Sequence, residues 1–258
     1  MVPEDLYEAR SFSVIMYDLK KHVIREFSSE KAQELYCKES EKGLWASERL
    51  LIKKYFKPKS NFLDLGCGTG RTTLELFGLG YKGIGVDIVP AMITNAKKIA
   101  RKKKLSIKYR VGDAANLRFR DDSFDNALFS YNGWTQIPGK ENRLRALREI
   151  HRVLKTDGHF IFTAHLRQMS GYLATWIKQW LKIYLLKPVG FKIREAEFGD
   201  IFFKYRGRDE QFIHIPSPKA VKKQLHLAGF KILLIGGSNM ISPKDTQESP
   251  PVFFVCKK

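Results

Sequence analysis

The chain has 258 residues, of which 43% are hydrophobic, and its 46 lysines and arginines against 27 acidic residues give a formal charge of +19. This length and apolar content allow a substantial core and fit one large α/β domain. The sequence shows no basic start followed by an apolar segment and no long uninterrupted apolar run. We therefore expect a soluble protein that is not exported and has no integral membrane segment.

The cysteines, Cys37, Cys67 and Cys256, are far apart and lack the spacing of metal ligands. They predict neither a disulfide framework nor a metal site, and a reducing cytoplasm is the expected location. The charge predicts attraction to polyanions, so RNA is a candidate partner. Because the basic residues concentrate on predicted helices, between Lys97 and Lys104 and over 140–155, a solvated basic face is the alternative.

Residues 1–60 are predicted to be mainly helical and to form a cap over the entrance to a glycine-rich turn. From Phe62 onward, short apolar runs alternate with longer helical stretches, which predicts parallel strands joined by crossover helices. The predicted strands are 61–65, 82–86, 106–111, 124–130, 159–164, 231–236 and 252–256. The later predicted helices run from Pro90 to about Lys103, from Asn142 to Leu154 and from Ser217 to Gly229.

Residues 166–215 interrupt the alternation with a Trp-rich helix and short strand-like pieces. We interpret this segment as a lid-like insertion over the active site. Its helix, YLATWIKQWLKIYLL, carries Trp176, Trp180 and Tyr184 at intervals of four among lysines. Such a helix can lie on a membrane surface, but we expect its apolar residues to pack on the domain instead.

The stretch NFLDLGCGTGR, residues 61–71, leads from an apolar strand into a turn with Gly66, Gly68 and Gly70. Glycine serves where φ is positive or where a ligand approaches the backbone, and such a turn exposes amide groups at a helix N-terminus. The turn predicts a cofactor site, with a tight packing turn as the alternative. Arg71 stands where the last glycine of a G-x-G-x-x-G dinucleotide loop would fall, which argues against NAD.

Acidic residues also follow the next two strands, with Asp87 after YKGIGV and Asp113 in YRVGDAANL. At a strand edge, Asp87 can accept hydrogen bonds from both hydroxyls of a ribose, or it can cap the helix that follows. Together with Asp64, the glycine turn, DDSFDNALFSYNGW and ALREIHRVLKTDGHFIFTAH, this pattern resembles the class I S-adenosylmethionine-dependent methyltransferases over about residues 60–258.

The resemblance implies an α/β fold with a seven-stranded, Rossmann-like, mostly parallel sheet, an antiparallel last strand and helices on both faces. We expect one domain overall, with the helical cap at 1–60 and a core at 61–258 that carries the insertion. The implied cofactor is S-adenosyl-L-methionine, with S-adenosyl-L-homocysteine as its product. The implied cofactor-binding residues are Asp64, Gly66, Cys67, Gly68, Gly70, Asp87, Ile88, Asp113, Ala114 and Ser130.

Within this set, the glycine turn would contact the methionine part, and Asp64 would help to hold its ammonium group. Asp113 would meet the adenine amino group, with the backbone of Ala114 facing the ring. Cys67 is expected to be a small loop residue and not a nucleophile.

The implied reaction is an in-line displacement at the sulfonium methyl group, in which the enzyme mainly supplies alignment. Tyr131, after the fourth strand, is expected near the transferring methyl group. His165, at the end of the fifth strand, is the candidate proton acceptor because imidazole titrates near neutrality; alternatively it only hydrogen-bonds to the lid. His214, in the insertion, is a weaker candidate.

These motifs do not identify the methyl acceptor. The chain carries SYNGW at 130–134, where many enzymes that methylate amino groups of nucleobases or glutamine carry an NPPY-type tetrad. We expect methyl transfer to a small molecule. The alternatives are transfer to RNA (tRNA or rRNA) and a non-catalytic S-adenosylmethionine-binding or scaffold protein.

Overall fold

The computed structural model describes residues 18–204, 209–247 and 249–258, so the first part of the predicted cap lies outside the described residues. The helices are α1 over 18–28, α2 (Glu30–Glu39), α3 (Ala46–Tyr55), α4 (Arg71–Gly78), α5 (Pro90–Lys102), α6 (Lys140–Val153), α7 (Leu173–Leu181), α8 (Pro218–Leu227) and α9 (Ser238–Ile241). The strands are β1 (Asn61–Leu65), β2 (Lys82–Asp87), β3 (Lys108–Val111), β4 (Phe124–Phe129), β5 (Leu154–Ala164), β6 (Asp200–Phe203), β7 (Gln211–His214), β8 (Lys231–Gly237) and β9 (Val252–Lys257).

The main sheet has seven strands in the order β3-β2-β1-β4-β5-β9-β8. Its pairs are parallel from β3 to β5, whereas β9 pairs antiparallel with both β5 and β8. The predicted seven-stranded, mostly parallel α/β sheet with an antiparallel last strand is confirmed. The strand order reverses at β1, and open α/β sheets bind ligands beyond the carboxyl ends of the strands at such a point.

Both faces of the sheet are covered by helices. Successive side chains of β1 point to opposite faces, as the pleat of a strand requires. Leu63 and Leu65 pack in one buried cluster with residues of α6 and α8, whereas Phe62 packs in another with Leu51 and Ile52 of α3. Burial on both faces explains why the parallel strands read as continuous apolar runs and not as alternating ones.

Strand β5 begins earlier than the sequence pattern predicts. Leu154 already pairs with Phe124, and the register then shifts before His159 pairs with Asn126. Asp157 takes a left-handed conformation, with φ of 64°, inside this irregularity. The polar residues before His159 therefore form a bulge within the strand, which a period-based prediction assigns to a turn.

The insertion contains a helix and a pair of strands, and one of these strands contacts the N-terminal region. Helix α7 continues into a π-helical turn (Lys182–Leu186), and β6 pairs antiparallel with β7. Phe212 of β7 is buried in one cluster with Val23 and Phe27 of α1, so the insertion and the N-terminal region meet. Within the described residues, no helix is long and apolar enough to cross a membrane.

The expectation that the apolar residues of the Trp-rich helix pack on the domain is only partly correct. Trp176 and Ile183 are buried, as expected. Trp180 and Tyr184 are about half exposed, so the expectation is wrong for these two residues. Apolar side chains lie on several sides of this helix, but only the side with Trp176, Gln179 and Ile183 is buried.

A buried ion pair joins the N-terminal helices to the core. The Arg71 guanidinium, at the start of α4, donates to both carboxylate oxygens of Glu48 in α3 at 2.7 Å. Glu48 is fully buried and Arg71 nearly so. Arg71 also donates to the carbonyl oxygen of Gly43, at 2.8 Å. The pair thus fixes α3 against the helix that follows the glycine turn.

Replacing Glu48 by alanine should lower the free energy of unfolding by about 3 to 5 kcal/mol, because the Arg71 guanidinium would remain buried without its charged partner. Glu75→Ala is a matched control, because Glu75 forms an exposed ion pair with Arg49. It should lower the free energy of unfolding by less than about 1 kcal/mol. Urea unfolding followed by circular dichroism measures both. Equal losses in the two variants would contradict the importance of the buried pair.

Candidate functional site

A cavity of about 290 Å³ lies at the carboxyl ends of the parallel strands, where the strand order reverses. The glycine turn, the ends of β2 and β4, the segment after β3 and helix α1 all contribute to its lining. The predicted site residues that line it are Gly66, Gly68, Asp87, Ile88, Asp113, Ala114, Ser130 and Tyr131. The predicted residues outside its lining are Asp64, Cys67, Gly70 and His165.

The three glycines of the turn have positive φ angles, but they meet different surroundings. A Cβ on Gly66 would lie 2.6 Å from Cε2 of Phe129, and one on Gly70 would lie 2.5 Å from the hydroxyl of Tyr109. At Gly68 the nearest atom would be Cδ1 of Tyr36, at 3.8 Å. Gly66 and Gly70 therefore serve close packing, whereas Gly68 leaves open space at the wall of the cavity.

Asp64 supports the turn from beneath. Its Oδ2 accepts hydrogen bonds from the hydroxyls of Thr72 and Thr73, both at 2.5 Å, at the start of α4. Its Oδ1 is buried and has no hydrogen-bond partner among the residues that the structure describes. Burial raises the pKa of this carboxyl to about 6, although the two hydroxyls oppose the shift. One carboxylate oxygen thus remains available for a further donor.

Asp87 connects the glycine turn to the end of β2. Its Oδ2 accepts from the backbone N–H of Gly68 at 2.8 Å, and its Oδ1 accepts from the N–H of Val89 at 2.9 Å. Burial raises the pKa of Asp87 to about 6. Since each carboxylate oxygen can accept more than one hydrogen bond, both remain able to accept from a ligand. The local capping role and the ligand-binding role are therefore compatible.

Asp113 meets the N-terminal helix at the cavity. Its Oδ1 accepts from the N–H of Ala115 at 2.9 Å, and its Oδ2 lies 2.6 Å from Nζ of Lys20 in α1. Lys20, Val23 and Phe27 of α1 also line the cavity. Helix α1 therefore forms one wall of the cavity and is tied to the segment after β3.

The segment after β4 has an unusual backbone. Tyr131 and Asn132 have φ angles of 55° and 61°, in the left-handed region that bulky residues rarely occupy. The hydroxyl oxygen of Thr163 accepts a hydrogen bond from the N–H of Asn132 at 2.8 Å. The ring of Tyr131 contacts those of Trp45 and Tyr36, with centroids 5.3 and 6.0 Å apart. These contacts hold a strained backbone in place beside the cavity.

Glu48 and Arg71, the pair described above, also reach this segment, which the sequence patterns did not reveal. Arg71 donates to the hydroxyl oxygen of Ser130 at 2.9 Å, and that hydroxyl contacts Glu48 as well. The guanidinium lies 5.0 Å from the ring of Trp45 and 5.5 Å from that of Tyr131. The only signal in the sequence was that Arg71 follows the glycine turn, and its partners lie 23 and 59 positions away.

His165 follows β5 and is half-buried, and burial lowers the pKa of its imidazole. Cys67 is buried beneath the turn, and burial raises the pKa of its thiol well above the ordinary value, which disfavours a thiolate. Neither side chain lines the cavity. Of the two predicted catalytic residues, Tyr131 lines the cavity and His165 does not.

His214 lies at a second cavity of about 580 Å³, formed by the insertion, α6 and α8. Its Nδ1 lies 2.8 Å from Oδ1 of Asp200, and burial lowers its pKa although Asp200 opposes the shift. Glu197 completes a cluster whose oxygen and nitrogen atoms lie within 4.8 Å of one another. Nη2 of Arg143 lies 2.5 Å from Glu197, so this carboxylate already has a cationic partner.

Comparison with known proteins agrees with this geometry. A family profile described as "Methyltransferase domain" matches residues 63–162. An uncharacterised protein of Methanocaldococcus jannaschii is 33% identical over 203 residues, which cover 77% of this chain and 72% of that protein. A demethylmenaquinone methyltransferase of Staphylococcus saprophyticus is 30% identical over 190 residues, covering 71% of this chain and 75% of that enzyme.

Among solved structures, a SAM-dependent methyltransferase of Methanosarcina mazei superposes with a TM-score of 0.67 at 23% identity. The superposition covers 84% of this chain and 98% of the other and supports the shared fold. The family assignment rests on the relatives that are at least 30% identical over the aligned residues. The cavity, the acids after successive strands and these relatives lead to one conclusion: the chain belongs to the class I S-adenosylmethionine-dependent methyltransferases and is an enzyme of that family.

Proposed function

We propose that the 290 Å³ cavity binds S-adenosyl-L-methionine and that the enzyme transfers its methyl group to a small molecule. The observation that carries this proposal is that one cavity collects Gly68, Asp87, Asp113 and Ser130, which come from four separate parts of the chain. In addition, Gly68 leaves space where a side chain would stand, and Asp64 keeps a buried oxygen without a partner.

The chemistry of these groups fits the parts of the cofactor. Asp87 would accept hydrogen bonds from the ribose hydroxyls, and Asp113 with Ile88 and Ala114 would hold the adenine. The space beside Gly68 would admit the methionine part, with Asp64 holding its ammonium group directly or through water. When bound, the cofactor supplies an electrophilic methyl group on a sulfonium.

The remaining residues shape the turn and the enclosure. Gly66, Cys67 and Gly70 keep the turn compact against Phe129 and Tyr109. Tyr36 and Tyr131, together with α1, would exclude water from the cavity and orient the acceptor, which is how such an enzyme lowers the barrier of a displacement. We further propose that the cap and the insertion act together as a lid, because Phe212 packs against α1.

The acceptor that we propose is a small molecule. Demethylmenaquinone, named for the Staphylococcus relative, is one candidate. The charge of +19 keeps RNA as the alternative, and a cytoplasmic location stays a prediction. His165 stays the sequence-based candidate for a proton acceptor, whereas Tyr131 lines the cavity and would contact the acceptor.

Asp87→Asn should weaken binding of S-adenosyl-L-methionine by about 1 to 3 kcal/mol, because a neutral amide is a weaker acceptor for hydroxyl donors. The pKa of Asp87, about 6, also predicts that wild-type affinity is full only well above pH 6 and falls as the pH drops through this value. Isothermal titration calorimetry at several pH values measures both effects. Asp122→Asn, at an exposed surface carboxylate, is the control, and unchanged affinity in Asp87→Asn would refute the ribose assignment.

Tyr131→Leu should lower single-turnover methyl transfer by about 10²-fold, because a misaligned acceptor loses much of its rate advantage. Tyr131→Phe keeps the ring and separates its effect from that of the hydroxyl. His165→Ala should leave turnover close to the wild-type value, since His165 does not line the cavity. A loss of about 10²- to 10⁴-fold in His165→Ala, absent from His159→Ala on the preceding strand, would instead identify His165 as the proton acceptor.

A further inference from the structure

Helix α7 and the residues around it expose an apolar surface to solvent. Nineteen large apolar side chains in the described residues are at least 36% exposed, and eleven of them lie between Met169 and Phe191. We define the apolar surface by six of them, Leu173, Ile177, Trp180, Leu181, Tyr184 and Leu185. Residues three and four apart lie on one side of a helix, so these form a continuous stripe. Contiguous apolar patches of this kind mark interaction sites.

The opposite face of α7 fixes the helix to neighbouring parts of the insertion. Trp176, Gln179 and Ile183 are buried along it. The side-chain amide of Gln179 donates to the carbonyl oxygen of Asp200 at 2.6 Å and accepts from the N–H of Gly199 at 2.9 Å. The indole N–H of Trp176 donates to the carbonyl oxygen of Gln168 at 2.7 Å. The stripe therefore points outward because the other face is held in place by specific contacts.

The segment that carries the stripe is strongly basic. Between Leu166 and Arg194 there are two arginines and four lysines, Arg167, Arg194, Lys178, Lys182, Lys187 and Lys192, and no acidic residue. Lys182 and Arg194 pair with Glu195 and Glu210, whereas Lys178 and Lys192 are exposed and make no ion pair with a described residue. Lysine is depleted at interfaces between proteins, whereas helices that lie in the surface of a membrane combine lysines with tryptophan, tyrosine and aliphatic residues.

We propose that this apolar surface docks the enzyme onto a bilayer that contains anionic phospholipids. The aliphatic side chains would enter the boundary between headgroups and acyl chains, with Trp180 and Tyr184 at headgroup level. Lys178 and Lys192 would contact lipid phosphates. Tyr184 also lines the second cavity, so a docked bilayer would lie beside that cavity. The docking is independent of the identity of the methyl acceptor.

Co-sedimentation with vesicles tests the docking. The full chain should bind vesicles of phosphatidylcholine with phosphatidylglycerol and should bind pure phosphatidylcholine more weakly, with added salt weakening the difference. Of the four tryptophans, Trp134 and Trp176 are buried, Trp45 is partly buried against Tyr131 and Phe253, and Trp180 is about half exposed. Vesicle binding should therefore shift tryptophan emission to shorter wavelength, and the shift should disappear in Trp180→Phe.

Matched variants distinguish the effect of the stripe on vesicle binding from that of the overall positive charge. Leu173→Ser/Ile177→Ser/Leu185→Ser should lower vesicle affinity by at least about tenfold. Leu50→Ser/Leu79→Ser/Leu227→Ser replaces three leucines that are about equally exposed elsewhere and should leave vesicle affinity unchanged. Lys178→Glu/Lys192→Glu should weaken binding to anionic vesicles only. Binding of S-adenosyl-L-methionine and the thermal midpoint serve as checks that each variant is folded.

Three results would overturn the proposal. The first is no binding to either kind of vesicle. The second is equal binding by the wild type and the stripe variant, which would mean that only the overall charge attracts the vesicles. The third is a dimer in analytical ultracentrifugation that the stripe variant abolishes, without vesicle binding, which would assign the surface to a second copy of the chain.

Discussion

The buried ion pair between Glu48 and Arg71 is the contact on which the site depends, because it joins three separate parts of the chain. Glu48 belongs to the N-terminal helices, Arg71 begins the helix after the glycine turn, and Ser130 directly follows strand β4. Two charges taken out of water are stable only when their geometry and hydrogen bonds are nearly complete. The pair therefore permits little variation in how these three parts meet, and the cavity has a defined shape for the same reason.

The carboxylates at the strand ends combine structural and ligand-binding chemistry. Asp64 and Asp87 each accept two hydrogen bonds from the protein, and both have a pKa near 6 because they are buried. Each local bond fixes the direction of a carboxylate that still has acceptor capacity. A ligand therefore meets oriented acceptors, and little ordering remains to be done when it binds.

Local sequence determined much of what could be predicted. Apart from the early start of β5, the strand boundaries, the helix from Pro90 and the helix from Pro218 follow from short apolar runs and capping residues, so the sheet was predicted closely. The glycine turn and Asp87 were predictable because they are neighbours of strands. The partner of Arg71 could not be predicted, because Glu48 is distant in sequence and its burial depends on how the helices pack. The exposed stripe of α7 was also missed, because periodicity shows that a helix has apolar faces but does not show which one meets the domain.

The contact between Lys20 and Asp113 has a kinetic consequence. Both residues line the cavity, and their ion pair ties α1 to the segment that is proposed to hold the adenine. In the proposed complex, separation of α1 from this segment would widen the way out for the nucleoside, so we expect the lifetime of the occupied state to be coupled to opening of that helix. Since the pair is partly exposed, dissolved ions screen it. We therefore expect ionic strength to influence the turnover frequency through the exchange of the nucleoside and not through the displacement itself.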